Sequence, residues 1–234
     1  MSESCKWLHE NLEILKQVKF PFKLELLPRN GIYFFYENGE TWGHGERKSR
    51  IVRVGTSKDG NFRSRISEHF LFDESKMSFD ANRPAPHDRS IFRKNIGRAL
   101  LNQRRDKYLQ IWEIDFTSHK QRMNFGHLRD MKKEKEIEQE ISRILRFNFS
   151  FRFIELEGQT KRMGATGLES ALIGSLSHCD LCEPSTTWLG NNSPIKEIRE
   201  SGLWQFQHLK AKPITDTDKT TITNAIKHEI PFSL

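Results

Sequence analysis

The chain has 234 residues, 35% hydrophobic and 29% charged, which suits a folded domain with a full apolar core and excludes the composition of a disordered chain. A formal charge of +7 and a pI of about 9.3 favour a polyanionic partner, and no long amphipathic basic helix argues for a membrane surface instead. Three cysteines, Cys5, Cys179 and Cys182, are too few and odd in number for a disulfide framework.

In chain order, residues 6–17 have helical spacing, with Trp7, Leu8, Leu12 and Leu15 on one side. Pro21 and Pro28 bracket an extended segment, followed by GIYFFYENGE at 31–40. Its first six residues form an apolar β-rich run, and Asn38-Gly39 is a turn signal. A polar loop leads to a second strand, Ile51 to Val54, ended by Gly55. Residues 62–70 read as a helix with Phe62, Ile66 and Phe70 buried. The spacing predicts a loop over 73–88, a helix over 90–102 and an alternating strand from Tyr108 to Phe116. A charged helix follows over 131–146, then a strand over 149–156 and an apolar helix from Leu168 to Ser177. The loop WLGNNSP and a helix-loop near 195–210 come next, and the last twenty residues read as polar and partly loose. The mixture predicts an α+β (mixed α/β) fold, with a small central antiparallel sheet flanked by helices.

Several polar side chains stand among these core elements. Period-two alternation puts Tyr33 on the strand face opposite Ile32 and Phe34, and Arg53 is expected to point away from Val52 and Val54. Arg65 and His69, four residues apart, share a helical face. Glu169 lies in the apolar arc of its helix above Ile173 and Leu176. Burying such groups is costly unless they are paired or used. A carboxylate to hold a divalent cation, guanidiniums to neutralise phosphate charge, and a phenol or imidazole to take a proton from water make a kit for phosphate-ester hydrolysis.

In that order the residues resemble the GIY-YIG nuclease superfamily. Gly31-Ile32-Tyr33 is the first signature tripeptide, and Arg53-Val54-Gly55 falls where the second, usually Tyr-Ile-Gly, belongs. Arg65 and His69 match the helix that follows. Glu169, in GLESALIGSL, matches the carboxylate that binds the metal, and Asn191 or Asn192 resembles an Asn that often comes after it. The resemblance covers residues 28–195. It implies a nuclease domain with insertions at 37–50 and about 71–160, an N-terminal helical extension over 1–27 and a C-terminal one over 196–234. It also implies a Mg²⁺ cofactor (Mn²⁺ as a substitute) on Glu169, with Tyr33 activating water, His69 relaying its proton, and Arg65 and Arg53 on the phosphate. A cation in place of the second signature tyrosine departs from the usual pattern and removes any role for a second phenol.

Each of these residues has a plainer explanation. Tyr33 can be a strand aromatic, Arg53 a strand-surface charge, and Arg65 with His69 a solvated helix edge. Thr166-Gly-Leu-Glu169 has the pattern of a capping box, and Asn191 and Asn192 that of turn formers beside Gly190 and Pro194. Segment 89–107 is basic around an apolar stripe of Ile91, Ile96 and Leu100. If Arg93, Lys94, Arg98 and Arg104 face outward they suit a DNA backbone, and otherwise they form a solvated face. Cys179 and Cys182 have metal-ligand spacing without a second Cys pair, and so read as ordinary thiols, with zinc the alternative.

The resulting expectation is a cytoplasmic, magnesium-dependent endonuclease acting on double-stranded DNA. It is expected to be site-specific and restriction-like, with no membrane partner and with a homodimer presenting two sites. The rival readings are a repair or recombination nuclease of the same chemistry and a DNA-binding module without catalysis.

Overall fold

A computed structural model describes residues 2–45, 47–71 and 80–229. In chain order its longer elements are α1 (Ser2–Leu12), β1 (Val18–Lys19), β2 (Gly31–Thr41), β3 (Ser49–Thr56), α2 (Phe62–Phe70), α3 (Ile91–Gln103), α4 (Met131–Asn148), β4 (Phe149–Glu155), α5 (Leu168–Ser177) and α6 (Asp216–Glu229). The four strands form one antiparallel sheet in the order β1-β4-β2-β3.

The apolar run of β2 has a simple cause: the sheet is covered on both faces. Ile32, Phe34, Tyr36, Ile51, Val54 and Ile154 face one layer, where α1, α5 and α6 pack. Tyr33, Phe35, Val52 and Phe151 face the other, where α2, α3 and α4 pack. With both faces dry, polar out-facing positions vanish from the strand. The alternation that separates Tyr33 from Ile32 and Phe34 is as expected. Val52 is not on the far side from Arg53, because the register slips between Phe35 and Tyr36. Phe35 pairs with Arg53 and Tyr36 with Ile51, so the bulge leaves Val52 in the same cluster as Tyr33 and Phe35.

Asn38-Gly39 does not close the hairpin. β2 runs on to Thr41 through Gly39, whose φ of +89° is open to glycine, and the chain reverses between Trp42 and Lys48. Tyr108 to Phe116 is not a strand. Its backbone bonds close locally, Trp112 N–H to Tyr108 O among them, around a helical turn at Leu109–Trp112. Tyr108 and Trp112 are i and i+4, a spacing that the alternating pattern conceals. The Trp112 ring stacks on His87 at 3.6 Å and leaves no room for a Cβ at Gly97. The expected loop at 73–88 lies outside the described residues up to 79, and its end forms a helical turn at Pro86–Arg89.

Of the last twenty residues, those described are not loose: residues 216–229 form α6, with Ile222, Ala225 and Ile226 buried. Its isolated apolar residues become legible only once a sheet face is there to receive them. α1, also expected in an extension, places Cys5, Leu8 and Leu12 in the same core. Among the described residues no helix is long and apolar enough to cross a membrane.

A buried carboxylate ties the hairpin to the C-terminal segment. Glu37 Oε2 accepts the indole N–H of both Trp188 and Trp204 at 2.8 Å. Burial pushes its pKa up to about 7, against the pull of those two donors. The sign follows: as pH rises from about 4.5 the unfolded chain releases this proton while the folded chain keeps it. Glu37 therefore costs stability progressively up to about pH 7, by roughly 3 kcal/mol, and no further above it. His9 works in the opposite direction. Burial lowers its pKa to about 4, so stability is lost as pH falls below its ordinary value. We therefore expect Glu37→Gln, which keeps an acceptor for the indoles, to gain stability over the wild type between pH 5 and 7 in parallel urea titrations. A constant difference at all pH values would show that Glu37 does not titrate in that window.

Candidate active site

The site begins with two glycines. A Cβ at Gly31 would stand 2.4 Å from Ile154 O, so only glycine lets β2 and β4 pair closely there. Gly55 pairs with Tyr33 across the hairpin, and a Cβ on it would lie 2.3 Å from the Tyr33 hydroxyl oxygen. The phenol ring lies over this bare backbone, and its hydroxyl reaches 3.3 Å from Nε2 of His69 on α2.

His69 is fully buried. Desolvation, and then the charges of Arg65, Arg53 and Arg93, hold its pKa well below the ordinary range, so the ring is neutral at physiological pH. Its Nδ1 lies 3.1 Å from Ser90 Oγ, and that oxygen also accepts the Arg93 N–H as the N-cap of α3. When Nδ1–H donates to Ser90, Nε2 is left with a lone pair toward the phenol. Phenol, imidazole and cap hydroxyl thus form a buried relay.

Two guanidiniums flank the phenol. Arg65, one turn before His69, donates from Nη1 to Glu68 at 2.8 Å and to Arg89 O at 3.0 Å. Burial alone would lower its pKa, but Tyr33 and Glu68 outweigh it and the net shift is upward. It lines an open cleft of about 380 Å³ together with Thr56, Lys58 and Asn61. Arg53 is buried, donates from Nη1 to Trp204 O at 2.7 Å and lies 5.0 Å from the centre of the Phe92 ring. Desolvation lowers its pKa, while Tyr33 and Glu169 oppose that shift.

Glu169 arrives from the other layer. β3 is the edge strand of the sheet, and the first turn of α5 passes that edge, bringing the carboxylate to Arg53, the Thr56 amide and Arg65. Burial raises its pKa, and Arg53, His208, the Thr56 amide and Arg65 partly offset this. The capping-box reading is excluded: the N-cap of α5 is Gly167, with no side-chain cap, and Thr166 lies outside the helix. The five side chains lie near one another, with Arg53 among Tyr33, Arg65 and Glu169 and with Tyr33 on His69.

A cavity of about 70 Å³ lies beside two of them, Arg53 and Glu169, and is also lined by Asn95, Gln205 and His208. Two buried donors of these residues, Arg53 Nε and Gln205 Nε2, lack a hydrogen-bond partner among the described residues. Gln205 is fixed in orientation, because its Oε1 accepts the Val54 N–H. Unpartnered donors beside a carboxylate suit a phosphate oxygen and a cation together. Glu169 is the one carboxylate in that lining, a donor set that fits a hard divalent ion keeping most of its waters.

Ser90, Asn95, Gln205 and His208 were missed from sequence. Ser90 alone carried a signal, as an N-cap before a helical run. His208 has a φ of +61°, a left-handed conformation that costs a non-glycine residue on the order of 1 kcal/mol and sets it beside Glu169.

The basic segment does not present an outward row. Arg93 is fully buried and holds Glu138 through Nε at 2.8 Å and Nη2 at 2.6 Å. Lys94 donates to the carbonyls of Glu113 and Ile114, and Arg98 pairs with the Glu113 carboxylate. Ile91, expected inside, is 37% exposed. The reason is that α3 packs on the sheet and on α4 at once, so its basic side meets acids of neighbouring segments instead of water. Arg104 does reach the surface, paired with Glu140. Asn191 donates to Ser185 O and Thr186 O, and Asn192 to Leu189 O, as turn formers do.

A family model described as GIY-YIG domain matches residues 8–229. No curated protein and no solved structure matches the chain.

Gly55→Ala must displace the Tyr33 ring, so we expect a lower melting temperature and a shifted tyrosine absorbance. An alanine variant that matches the wild type in both would mean the ring does not lie on Gly55. Arg93→Met strands the buried Glu138 charge, and we expect a stability loss of about 3–5 kcal/mol in denaturant titration. A folded, equally stable variant with weakened DNA binding would instead return Arg93 to the surface.

Proposed function

The chain belongs to the GIY-YIG family of nucleases, and from that premise we propose that it is a magnesium-dependent endonuclease of double-stranded DNA working through the pocket at the β3 edge. The observation that carries this reading is the clustering of Tyr33, His69 and Arg65 about Arg53, which with Glu169 lines a cavity whose buried donors lack partners among the described residues.

In this reading Glu169 holds the Mg²⁺, for which Mn²⁺ can substitute. The cation, when bound, neutralises charge on the scissile phosphate and lowers the cost of deprotonating water. Tyr33 passes its proton to the neutral Nε2 of His69 and takes one from the attacking water. Arg65, at the mouth of the cleft, and Arg53, through its unpartnered Nε, hold the phosphate oxygens as negative charge builds. Ser90 and Gln205 are positioning residues, the first for the imidazole and the second for the edge of β3. The products carry a 5′-phosphate and a 3′-hydroxyl.

Site-specific, restriction-like cleavage by a homodimer is the form we propose. The insertions at 37–50 and about 71–160 are larger than nonspecific cleavage requires, and one pocket per chain must be doubled to cut both strands together. A second reading, a DNA-binding module without hydrolysis, is favoured by one observation: Arg53 replaces the second signature tyrosine and is committed to Trp204 O and Phe92.

The two readings separate on mixed-sequence plasmid with magnesium. Nuclease activity gives discrete bands with 5′-phosphate ends. Tyr33→Phe and Glu169→Ala each slow it at least about 100-fold while circular dichroism and DNA binding stay as in the wild type. Intact plasmid under every divalent ion tried, with binding retained, would leave the binding module standing.

A further inference from the structure

Away from the pocket, at the opposite end of the β2–β3 hairpin, the fold assembles a second group of chemistry-bearing side chains. Cys5 comes from α1, His44 from the loop that reverses the chain between β2 and β3, and Cys179 and Cys182 from the segment just after α5. Their ligand atoms all lie within 4.8 Å of one another. Cys5 Sγ is 3.7 Å from Cys182 Sγ, and His44 Nε2 is 3.2 Å from Cys179 Sγ. A tetrahedral zinc ion with bonds of about 2.3 Å to sulfur and about 2.0 Å to nitrogen separates two sulfurs by about 3.8 Å and a sulfur from a nitrogen by about 3.6 Å. These two distances match within a few tenths of an ångström, and the whole set is compact enough to close on one ion. The sulfur–sulfur spacing is too long for a disulfide, and all three cysteines are free.

The surroundings are built for such a centre. The Gly43 N–H donates to Cys182 Sγ at 3.4 Å, as a backbone donor to a metal-bound thiolate does. Gly43 has no room for a side chain, because a Cβ there would fall on Leu181 O, so the hairpin loop is pressed against the Cys179–Cys182 turn. His9, though close to Cys5, has no lone pair to give: its Nδ1 bonds Cys5 O at 2.9 Å and its Nε2 accepts the Ile51 N–H at 3.0 Å. The ligand set is thereby fixed at three sulfurs and one nitrogen, and the ligands sit buried or half-buried.

We propose that Cys5, His44, Cys179 and Cys182 form a closed, four-coordinate structural zinc site. Thiolate-rich tetrahedral sites select zinc over magnesium, and a site whose four positions are all protein ligands leaves none for substrate. The ion would clamp α1, the hairpin loop and the end of α5 to one another. α5 is ten residues long and carries Glu169 at its other end, so the clamp would also fix the helix that delivers the carboxylate to the pocket. The site does not rest on the nuclease reading.

The test is the metal content of the full chain, purified under reducing conditions from zinc-supplemented cells and dialysed. We expect about one zinc per chain in the wild type and in Glu169→Ala. The double variant Cys179→Ser/Cys182→Ser and His44→Ala should lose it, whereas His44→Cys, which completes four sulfurs, should keep it. Replacement by Co²⁺ should give the ligand-field and thiolate charge-transfer absorption of a tetrahedral centre. A strong chelator should lower the wild-type melting temperature and leave that of the Cys double variant unmoved. Wild-type protein that carries no zinc and shows no such cobalt spectrum would overturn the proposal without recourse to any variant. So would zinc lost in Glu169→Ala but kept in the Cys double variant, or a disulfide joining two of the three cysteines in the native protein.

Discussion

The hydroxyl of Tyr33 sits 3.3 Å from His69 because its ring lies flat on Gly55, the residue paired with it across the hairpin. A side chain at position 55 would lift the ring off the strand and break the alignment with the imidazole. The rest of the pocket is arranged around this contact. α2 supplies His69 and Arg65, Ser90 at the start of α3 holds the far side of the imidazole, and α5 brings Glu169 past the edge of β3. The Trp204–Gln205 segment covers that edge, taking Val52 O and Val54 N–H as partners, so the strand carries the site without offering an open ladder for aggregation.

Charge in this molecule is used inside it to an unusual degree. Arg93 with Glu138, Arg50 with Glu40 and Arg129 with Glu134 are buried pairs in which each guanidinium also donates to a backbone carbonyl. Such pairs add little net stability over apolar residues of the same size, but removing one partner is costly, so they fix which elements can pack together. Here they lock α3 to α4 and the hairpin to the C-terminal segment. These guanidiniums are therefore spent within the fold, each against one acid, which leaves the net charge of +7 unchanged. The cations that meet solvent near the pocket are fewer, Arg65 and Lys58 among them.

The two layers of helices have different tasks. The layer of α2, α3 and α4 shapes the phenol–imidazole relay, and the layer of α1, α5 and α6 delivers the single carboxylate. The phosphate chemistry proposed at the β3 edge would need both layers in register to within a fraction of an ångström. The Cys5, His44, Cys179 and Cys182 cluster and the doubly bonded Glu37 tie terminal and C-terminal segments back to the hairpin that both layers share.

The sequence by itself determined the antiparallel sheet flanked by helices, the two glycines and the ordered polar set. Each of those rests on local pattern: an apolar run, a tripeptide, a four-residue spacing. It also determined that Tyr33 opposes Ile32 and Phe34, since alternation along a strand needs no partner to be read. Only the tertiary structure decided which cations are free. The basic face of α3 and the stripe of α4 are equally amphipathic on paper, and burial of Arg93 depends on an acid 45 residues away. It decided that Tyr108–Phe116 is helical, because alternation and a helical i, i+4 pair coincide over so short a stretch, and that Val52 shares a face with Phe35, because a bulge is a property of two strands. It decided, too, that Cys179 and Cys182 have company. Cys5 and His44 are more than a hundred residues distant in the chain, and ligands so far apart become a set only when packing of the sheet faces closes the distance between them.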